Sequence, residues 1–321
     1  MPLVNAAELV KAAHKGHYCI GAFNTNNLEW TRAILAGAQE LNVPVIIQTS
    51  MGAAKYMGGY EFCQTMIEAA VKAMDITVPV VIHLDHGNYE AAKEAIAAGY
   101  NSVMFDGHDL DFEDNLEKTK EIVKLAHAKG ISVEAEVGSI GGEEDGVVGE
   151  GELADVEEAK TLAATGIDFL AAGIGNIHGQ YPDNWKGLHF DRLQELNDAV
   201  KMPLVLHGGS GIPQEQVQKA ITMGISKLNI NTECNLPLLR QHVNTSKLVR
   251  INKARALTLV RCSSQAPMRS PIPSRKSPAG LATSQLRWFL KHFNFLIKDY
   301  LKNPLAENCE WVLFVSRYLS C

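Results

Sequence analysis

Short apolar, β-branched runs recur along the first 230 residues, each closing on glycine or a polar residue and each followed by a longer stretch with helical spacing. The runs lie at 19–23, 44–49, 79–84, 101–105, 131–137, 167–172, 203–206 and 226–230. The stretches between them include 61–74, 89–98, 115–129, 156–165 and 214–223. Most end near a glycine (Gly99, Gly130, Gly166, Gly224), where a left-handed C-cap costs least. Eight strand-helix units joined by right-handed crossovers predict an α/β fold, a (β/α)8 TIM barrel. An open doubly wound sheet shares the alternation up to the strand count.

In such a barrel the chemistry gathers at the carboxyl ends of the strands. Reactive motifs stand there: HLDHG (83–87) after the third run, GNIHG (175–179) after the sixth and HGGSG (207–211) after the seventh. His86, His178 and His207 thereby arrive from three strand ends, a set suited to a tetrahedral Zn2+ whose fourth position stays open. A single histidine at a strand end reads as a hydrogen-bonded loop residue; three in register favour the metal. His83 lies deeper along its strand and reads as a satisfied core histidine. His14, His17, His108, His127 and His189 read as solvated.

Asp85, Asp106, Glu134 and Glu136 fall at matching positions, and buried carboxylates there need a metal, a lysine or a substrate group as partner. For Asp106 and Glu136, a place beside the metal and a salt bridge to a neighbouring loop fit the spacing equally well. HGGSG leads toward a helix that begins near Pro213. Close backbone approach at glycine, a serine hydroxyl and a helix N-terminus together suit a phosphate group. Asn229 to Thr232 add two amides and a hydroxyl beside it.

Composition sharpens this picture unevenly. The 321 residues are 46% hydrophobic and 21% charged with a net charge of -6, which describes a globular protein of one large or two ordinary domains. Residues 1–234, however, hold 16 Lys and Arg against 33 Asp and Glu, with 25 of the 26 glycines, whereas 235–321 hold 14 against 3 and one glycine. The six cysteines show no CxxC or regular spacing, and the first residues form no secretory apolar segment, so a reducing, cytoplasmic setting is expected. No run approaches the roughly 20 apolar residues of a membrane span, and no membrane role is expected.

HLDHG, VEAEVGSIGGEEDG, GNIHGQY, HGGSG and KLNINTE, in this order, resemble the class II, zinc-dependent fructose-bisphosphate aldolases over residues 1–235. The tagatose-bisphosphate aldolases share these motifs, which leaves the sugar stereochemistry open. The resemblance implies a glycolytic lyase that reversibly cleaves a sugar bisphosphate to dihydroxyacetone phosphate and glyceraldehyde 3-phosphate. It implies one catalytic Zn2+ on His86, His178 and His207, with a second divalent or a monovalent cation near Asp106 and Glu136, and a homodimer. Asp85 corresponds to the acid that protonates the aldehyde oxygen in condensation. Gly179, Gly208, Gly209, Ser210, Asn229, Ile230, Asn231 and Thr232 correspond to the groups that hold dihydroxyacetone phosphate. Asn24 and Ser50 correspond to positions near the substrate, Ser50 on the aldehyde phosphate.

The implied chemistry needs a Lewis acid to disperse the charge of an enediolate and a base to move its proton. The resemblance favours Glu144 over Glu143 as that base, on a glycine-rich loop at 138–151 expected to hinge and exclude water. On its own the acidic run reads as a solvated loop. Two rival chemistries are weaker. A Schiff-base aldolase needs a lysine buried in a barrel strand, and Lys227, read as lying at the entering end of the eighth run, is a poor candidate. A zinc hydrolase has no use for a phosphate cup.

After Cys234 the sequence departs from the family. The eighth helix and a DPRK-like segment, whose arginine the family uses on substrate phosphate, are not recognisable in it. ALTLVRC (256–262) read one nucleotide out of register gives GFDPRKM, so residues 236–321 read like a frameshifted translation with a single-base change near codons 235–237. They are expected to form an aberrant, basic and largely disordered tail. Loss of the eighth helix would expose an apolar patch where the barrel closes, and the chain would then be an inactive aldolase remnant. A nucleic-acid-binding role for the tail is not expected, because its basic residues are scattered and show no zinc-finger or helix-turn-helix spacing.

Overall fold

The computed structural model describes residues 2–144, 147–149 and 151–232. The first half holds α1 (Ala6–Gly16), β1 (Ile20–Asn24), α2 (Leu28–Leu41), β2 (Val45–Thr49), α3 (Met51–Met57), α4 (Tyr60–Ala73), β3 (Val80–Gly87), α5 (Tyr89–Ala98), β4 (Ser102–Phe105) and α6 (Phe112–His127). Then follow β5 (Ser132–Val137), β6 (Gly141–Glu144), β7 (Val147–Gly149), α7 (Val156–Ala163), β8 (Phe169–Ala172), β9 (Ile177–His178), α8 (Phe190–Val200), β10 (Leu204–Leu206), α9 (Gln214–Thr222) and β11 (Ile225–Ile230). Strands β1, β2, β3, β4, β5, β8, β10 and β11 close into a parallel barrel, β11 pairing with β1. This is the predicted (β/α)8 barrel, and each of the eight apolar runs supplies one stave.

Local chemistry sets the boundaries. Asn5, Asn27, Asn88 and Asp155 precede helices and each accepts a first-turn backbone N–H with its side chain, worth about 1 kcal/mol apiece. Gly99, Gly130, Gly166 and Gly224 all take positive φ at or just beyond helix ends. Outside the barrel, the helices cover a cluster that includes Ile47, Ile82, Val103, Val133, Leu170 and Leu206.

The barrel interior changes character along its axis. Ile20, Ala22, Ile46, Val81, Met104, Phe169, Ala171 and Val205 pack with Ala6, Val10 and Ala13 of α1, which plugs the amino-terminal mouth. Full burial of a side chain such as Ile46 or Phe169 contributes about 1.5–3 kcal/mol. Farther along the same inward rows the side chains become polar: two residues on, Asn24 after Ala22, Gln48 after Ile46, His83 after Val81 and His207 after Val205, and four on, Asp85 after Val81.

One expectation about local structure is corrected. The third run was read as ending at residue 84, but β3 continues through the motif to Gly87. Its pairing with β4 runs His83 to Ser102, Leu84 to Val103, then Gly87 to Phe105, so β3 carries one extra residue. His86 takes up the irregularity with φ 98°, a conformation costly for a side-chain-bearing residue. Regular alternation would turn His86 away from the face of Asp85, and the bulge turns it back. Within the stretch at 138–151, expected to hinge and exclude water, the described residues include two paired strands. Strand β6 pairs antiparallel with β7 and parallel with β9, the short strand bearing His178.

No helix among the described residues is long and apolar enough to cross a membrane. The tail at 236–321, with the frameshift, the missing eighth helix and the disorder read from it, lies outside the described residues, as does Asp145 of the acidic run.

Candidate active site

The carboxyl ends of β3, β9 and β10 bring three imidazoles together. His86 Nε2 lies 2.7 Å from His207 Nδ1. The ring centre of His178 is 5.2 Å from that of His86 and 5.8 Å from that of His207. One nitrogen from each of the three rings lies within 4.8 Å of the others, and His86, Asp106 and Glu136 form a second such group. Two glycines let the chain wrap this tightly around β9: a Cβ on Gly208 (φ 61°) would stand 2.1 Å from the carbonyl oxygen of Ile177, and one on Gly142 (φ 95°) 2.1 Å from that of His178.

Carboxylates fix the imidazoles from behind. His86 Nδ1 donates to Asp106 Oδ2 at 2.9 Å and His207 Nε2 donates to Glu134 Oε1 at 2.7 Å. The remaining nitrogens, His86 Nε2 and His207 Nδ1, therefore face each other across the site. They stand 2.7 Å apart. A divalent cation fits between them, because nitrogen ligands at Zn–N distances of about 2.0–2.1 Å sit roughly 3.3 Å apart, a small opening from the observed separation. The donor set of three imidazoles, each able to present a lone pair, fits such an ion.

The charge states agree with that fit. Burial and the neighbouring His86 ring lower the pKa of His207 to about 4 against the pull of Glu134, so the ring is neutral near pH 7. Burial disfavours ionisation of Asp106, but hydrogen bonds from His108 and His86 outweigh it and hold the carboxyl well below its usual range. Burial likewise opposes the Glu134 charge, and Lys227, His207 and His83 overcome it. His83, wholly buried and bonded to Ser102 Oγ at 2.8 Å, has its pKa lowered by burial and then by Lys227, in keeping with a core histidine.

Asp85 is almost completely buried among amides. Oδ2 accepts from Asn24 Nδ2 at 2.9 Å and Gln48 Nε2 at 2.8 Å, and Oδ1 accepts from Asn229 Nδ2 at 2.9 Å. Three donors from three different strands hold the carboxyl group in one orientation. Ser50 caps α3, its hydroxyl accepting from Ala53 N at 3.2 Å.

Toward the phosphate-type residues the picture is narrower than the sequence suggested. The Gly209 N–H is committed to the Asn229 carbonyl at 3.0 Å, and α9 starts at Gln214, three residues past HGGSG. Ser210 is buried, Gly179 has φ 88°, Ile230 closes β11, and Asn231 and Thr232 follow it at the same mouth. Glu144 ends β6, the strand that runs beside β9.

Two residues are placed differently from their reading. His108 is not simply solvated: its Nδ1 and its backbone N–H bond Asp106 Oδ1 at 2.9 and 3.0 Å. Lys227 does not sit at an entering edge; it is wholly buried in mid-strand, the setting a Schiff-base lysine requires. Its contacts exclude that use, because Nζ is paired with Glu134 Oε2 at 2.9 Å and donates to Asn229 Oδ1 at 2.7 Å, which suits an ammonium and not a nucleophilic amine.

Several contributors escaped the sequence reading. Asn176 donates to the His207 carbonyl at 3.1 Å and so ties the His178 segment to β10. Tyr181 Oη accepts from Ile177 N at 3.0 Å and donates to Gly208 O at 2.9 Å, closing the same junction. Gln48 also belongs here, and the available signal was parity: it lies two residues after buried Ile46. Glu134, read as a buried carboxylate in need of a partner, has one in Lys227.

The sequence model of the family described as fructose-bisphosphate aldolase class-II matches residues 4–270. A fructose-bisphosphate aldolase of Streptococcus pyogenes is 62% identical over 237 residues, 74% of this chain and 81% of the relative. One from Ureaplasma parvum is 54% identical over 235 residues, covering 73% and 81%. Among solved structures, the YdjI aldolase from Escherichia coli K12 superposes with a TM-score of 0.68 at 29% identity, over 92% of this chain and 97% of that one. A family match that runs through the whole barrel, joined to this identity with curated relatives, means that the chain belongs to the class-II fructose-bisphosphate aldolase family.

Proposed function

We propose that the chain catalyses reversible aldol cleavage of fructose 1,6-bisphosphate to dihydroxyacetone phosphate and glyceraldehyde 3-phosphate. The observation that carries this reading is the meeting of three imidazoles beside an amide-clamped carboxylate at the barrel mouth. His86, His178 and His207 hold one Zn2+, with Asp106 and Glu136 as ligands of a second or alternate cation. Bound there, the metal supplies Lewis-acid polarisation of the substrate ketone.

The chain's own groups supply the rest. Asp85, held ready as an acceptor by Asn24, Gln48 and Asn229, takes the proton of the hydroxyl on the departing aldehyde carbon as the carbon–carbon bond breaks. In condensation it returns that proton to the aldehyde oxygen. Glu144 on the hairpin delivers a proton to the carbon left electron-rich, and removes it in the reverse direction. The hairpin lying against β9 keeps water from that carbon. Gly179, Gly208, Ser210 and Asn229 to Thr232 receive the triose phosphate, Gly209 contributing closeness of approach instead of an N–H, and Ser50 receives the aldehyde phosphate. A homodimer follows the family. On this reading the sequence at 236–321 is a frameshifted translation, and restoring the frame raises activity.

Coupled cleavage assays with fructose and tagatose bisphosphates, with and without chelator, test this on the chain and on a frame-restored version. Fructose bisphosphate cleavage that chelator abolishes is the expected result, stronger in the restored chain. Preference for the tagatose ester would reassign the substrate, and cleavage indifferent to chelator would overturn the reading.

A further inference from the structure

Below the histidines lies a buried group that the aldol chemistry does not use. An ammonium has three donors and no acceptor. Lys227 directs two of its contacts to different elements: Glu134 Oε2 on β5 at 2.9 Å, an ion pair whose alignment falls outside hydrogen-bond geometry, and Asn229 Oδ1 on its own strand at 2.7 Å. Lys227 and Glu134 are both at 0% exposure, so no water competes for either contact.

Each contact fixes a second group. With its oxygen committed to Lys227, the Asn229 amide must turn Nδ2 upward, where it donates to Asp85 Oδ1 at 2.9 Å and lies 3.3 Å from both His207 ring nitrogens. With Oε2 held by Lys227, Glu134 presents Oε1 to His207 Nε2 at 2.7 Å. His83 Nε2, 3.4 Å from Glu134 Oε2, stands on the same side as Lys227. The two chains of contact leave one ammonium and end on the two working parts of the site, a metal-facing imidazole and the amide-clamped carboxylate.

We propose that Lys227 is a positioning residue that orients both parts together: through Glu134 it selects which nitrogen His207 offers to the metal, and through Asn229 it sets the carboxylate of Asp85. A counter-ion alone would need only to neutralise Glu134. The amide of Asn229 is nearly symmetric in shape, and without the lysine donor it would be held at its nitrogen end alone, by Asp85, with its buried oxygen left unpaired. The proposal rests on the reading that the three histidines hold a divalent cation.

The test uses the metal-free full chain and the Lys227→Met variant, similar in length and without donors. Histidine 15N NMR at neutral pH reads the His207 tautomer, side-chain amide exchange reads Asn229, and competition with a chromophoric chelator reads Zn2+ affinity. The parent should carry its His207 proton on Nε2 and protect the Asn229 amide protons. The variant should lose both signatures and bind Zn2+ about 10–100-fold more weakly. Should Lys227→Met fail to fold because Glu134 is left charged and alone, Lys227→Met with Glu134→Gln removes that charge, and the amide exchange of Asn229 is read there. A parent His207 protonated on Nδ1, or a folded variant with the parent's tautomer, amide protection and Zn2+ affinity, would overturn the proposal. A parent that binds no Zn2+ would instead sink the metal reading, while the tautomer and amide exchange still decide the positioning.

Discussion

The floor and the rim of this barrel are built by the same staves with the same inward alternation, yet they hold together differently. The floor is apolar contact, Ile46, Val81, Phe169 and Val205 packed on α1. The rim is directional, with Asp85, Glu134, His86, His207, Lys227 and Asn229 each committed to particular partners. Apolar packing tolerates exchange of similar volumes, whereas a buried polar network left half satisfied is worse than none. Stability should therefore be concentrated in the lower layer and turnover in the upper one.

Substitutions that separate the two quantities put this contrast under strain. Asp85→Asn removes the proton acceptor while keeping shape, and turnover should fall about 10²- to 10⁴-fold in the coupled cleavage assay. Stability by urea titration should fall by only about 1–3 kcal/mol, because one amide then opposes its amide neighbours. Phe169→Ala should do the reverse, removing about 3–5 kcal/mol of stability in the same titration while the KM of the folded fraction holds. A change in KM without loss of stability would mean the floor is part of the site. Smallest is Tyr181→Phe, which leaves Ile177 N and Gly208 O without their shared hydroxyl and should lower stability by about 1–2 kcal/mol.

The floor was legible because periodicity alone encodes it: each apolar run became a barrel strand, and the glycines after helices took positive φ as expected. The rim was legible in its residue types, since His86, His178, His207, Asp106 and Glu136 do come together. How they are held was not. A bulge at His86 depends on register against β4, which no local pattern announces. Lys227 and Glu134 stand on strands 93 residues apart in sequence, 134 to 227, and only closure of the barrel makes them neighbours. The run at 138–151 read as a glycine-rich loop that hinges, with no sign of the strand pairing in it. Its pairing with β9 requires Gly142, where a side chain would strike the His178 carbonyl.

X-ray absorption at the zinc edge of the metal-loaded chain tests the central claim most directly. Three imidazole nitrogens at about 2.0–2.1 Å with an oxygen in the remaining position, and one imidazole fewer in each of His86→Ala, His178→Ala and His207→Ala, is the predicted result. A sulfur ligand, or a spectrum unchanged by those three substitutions, would contradict it.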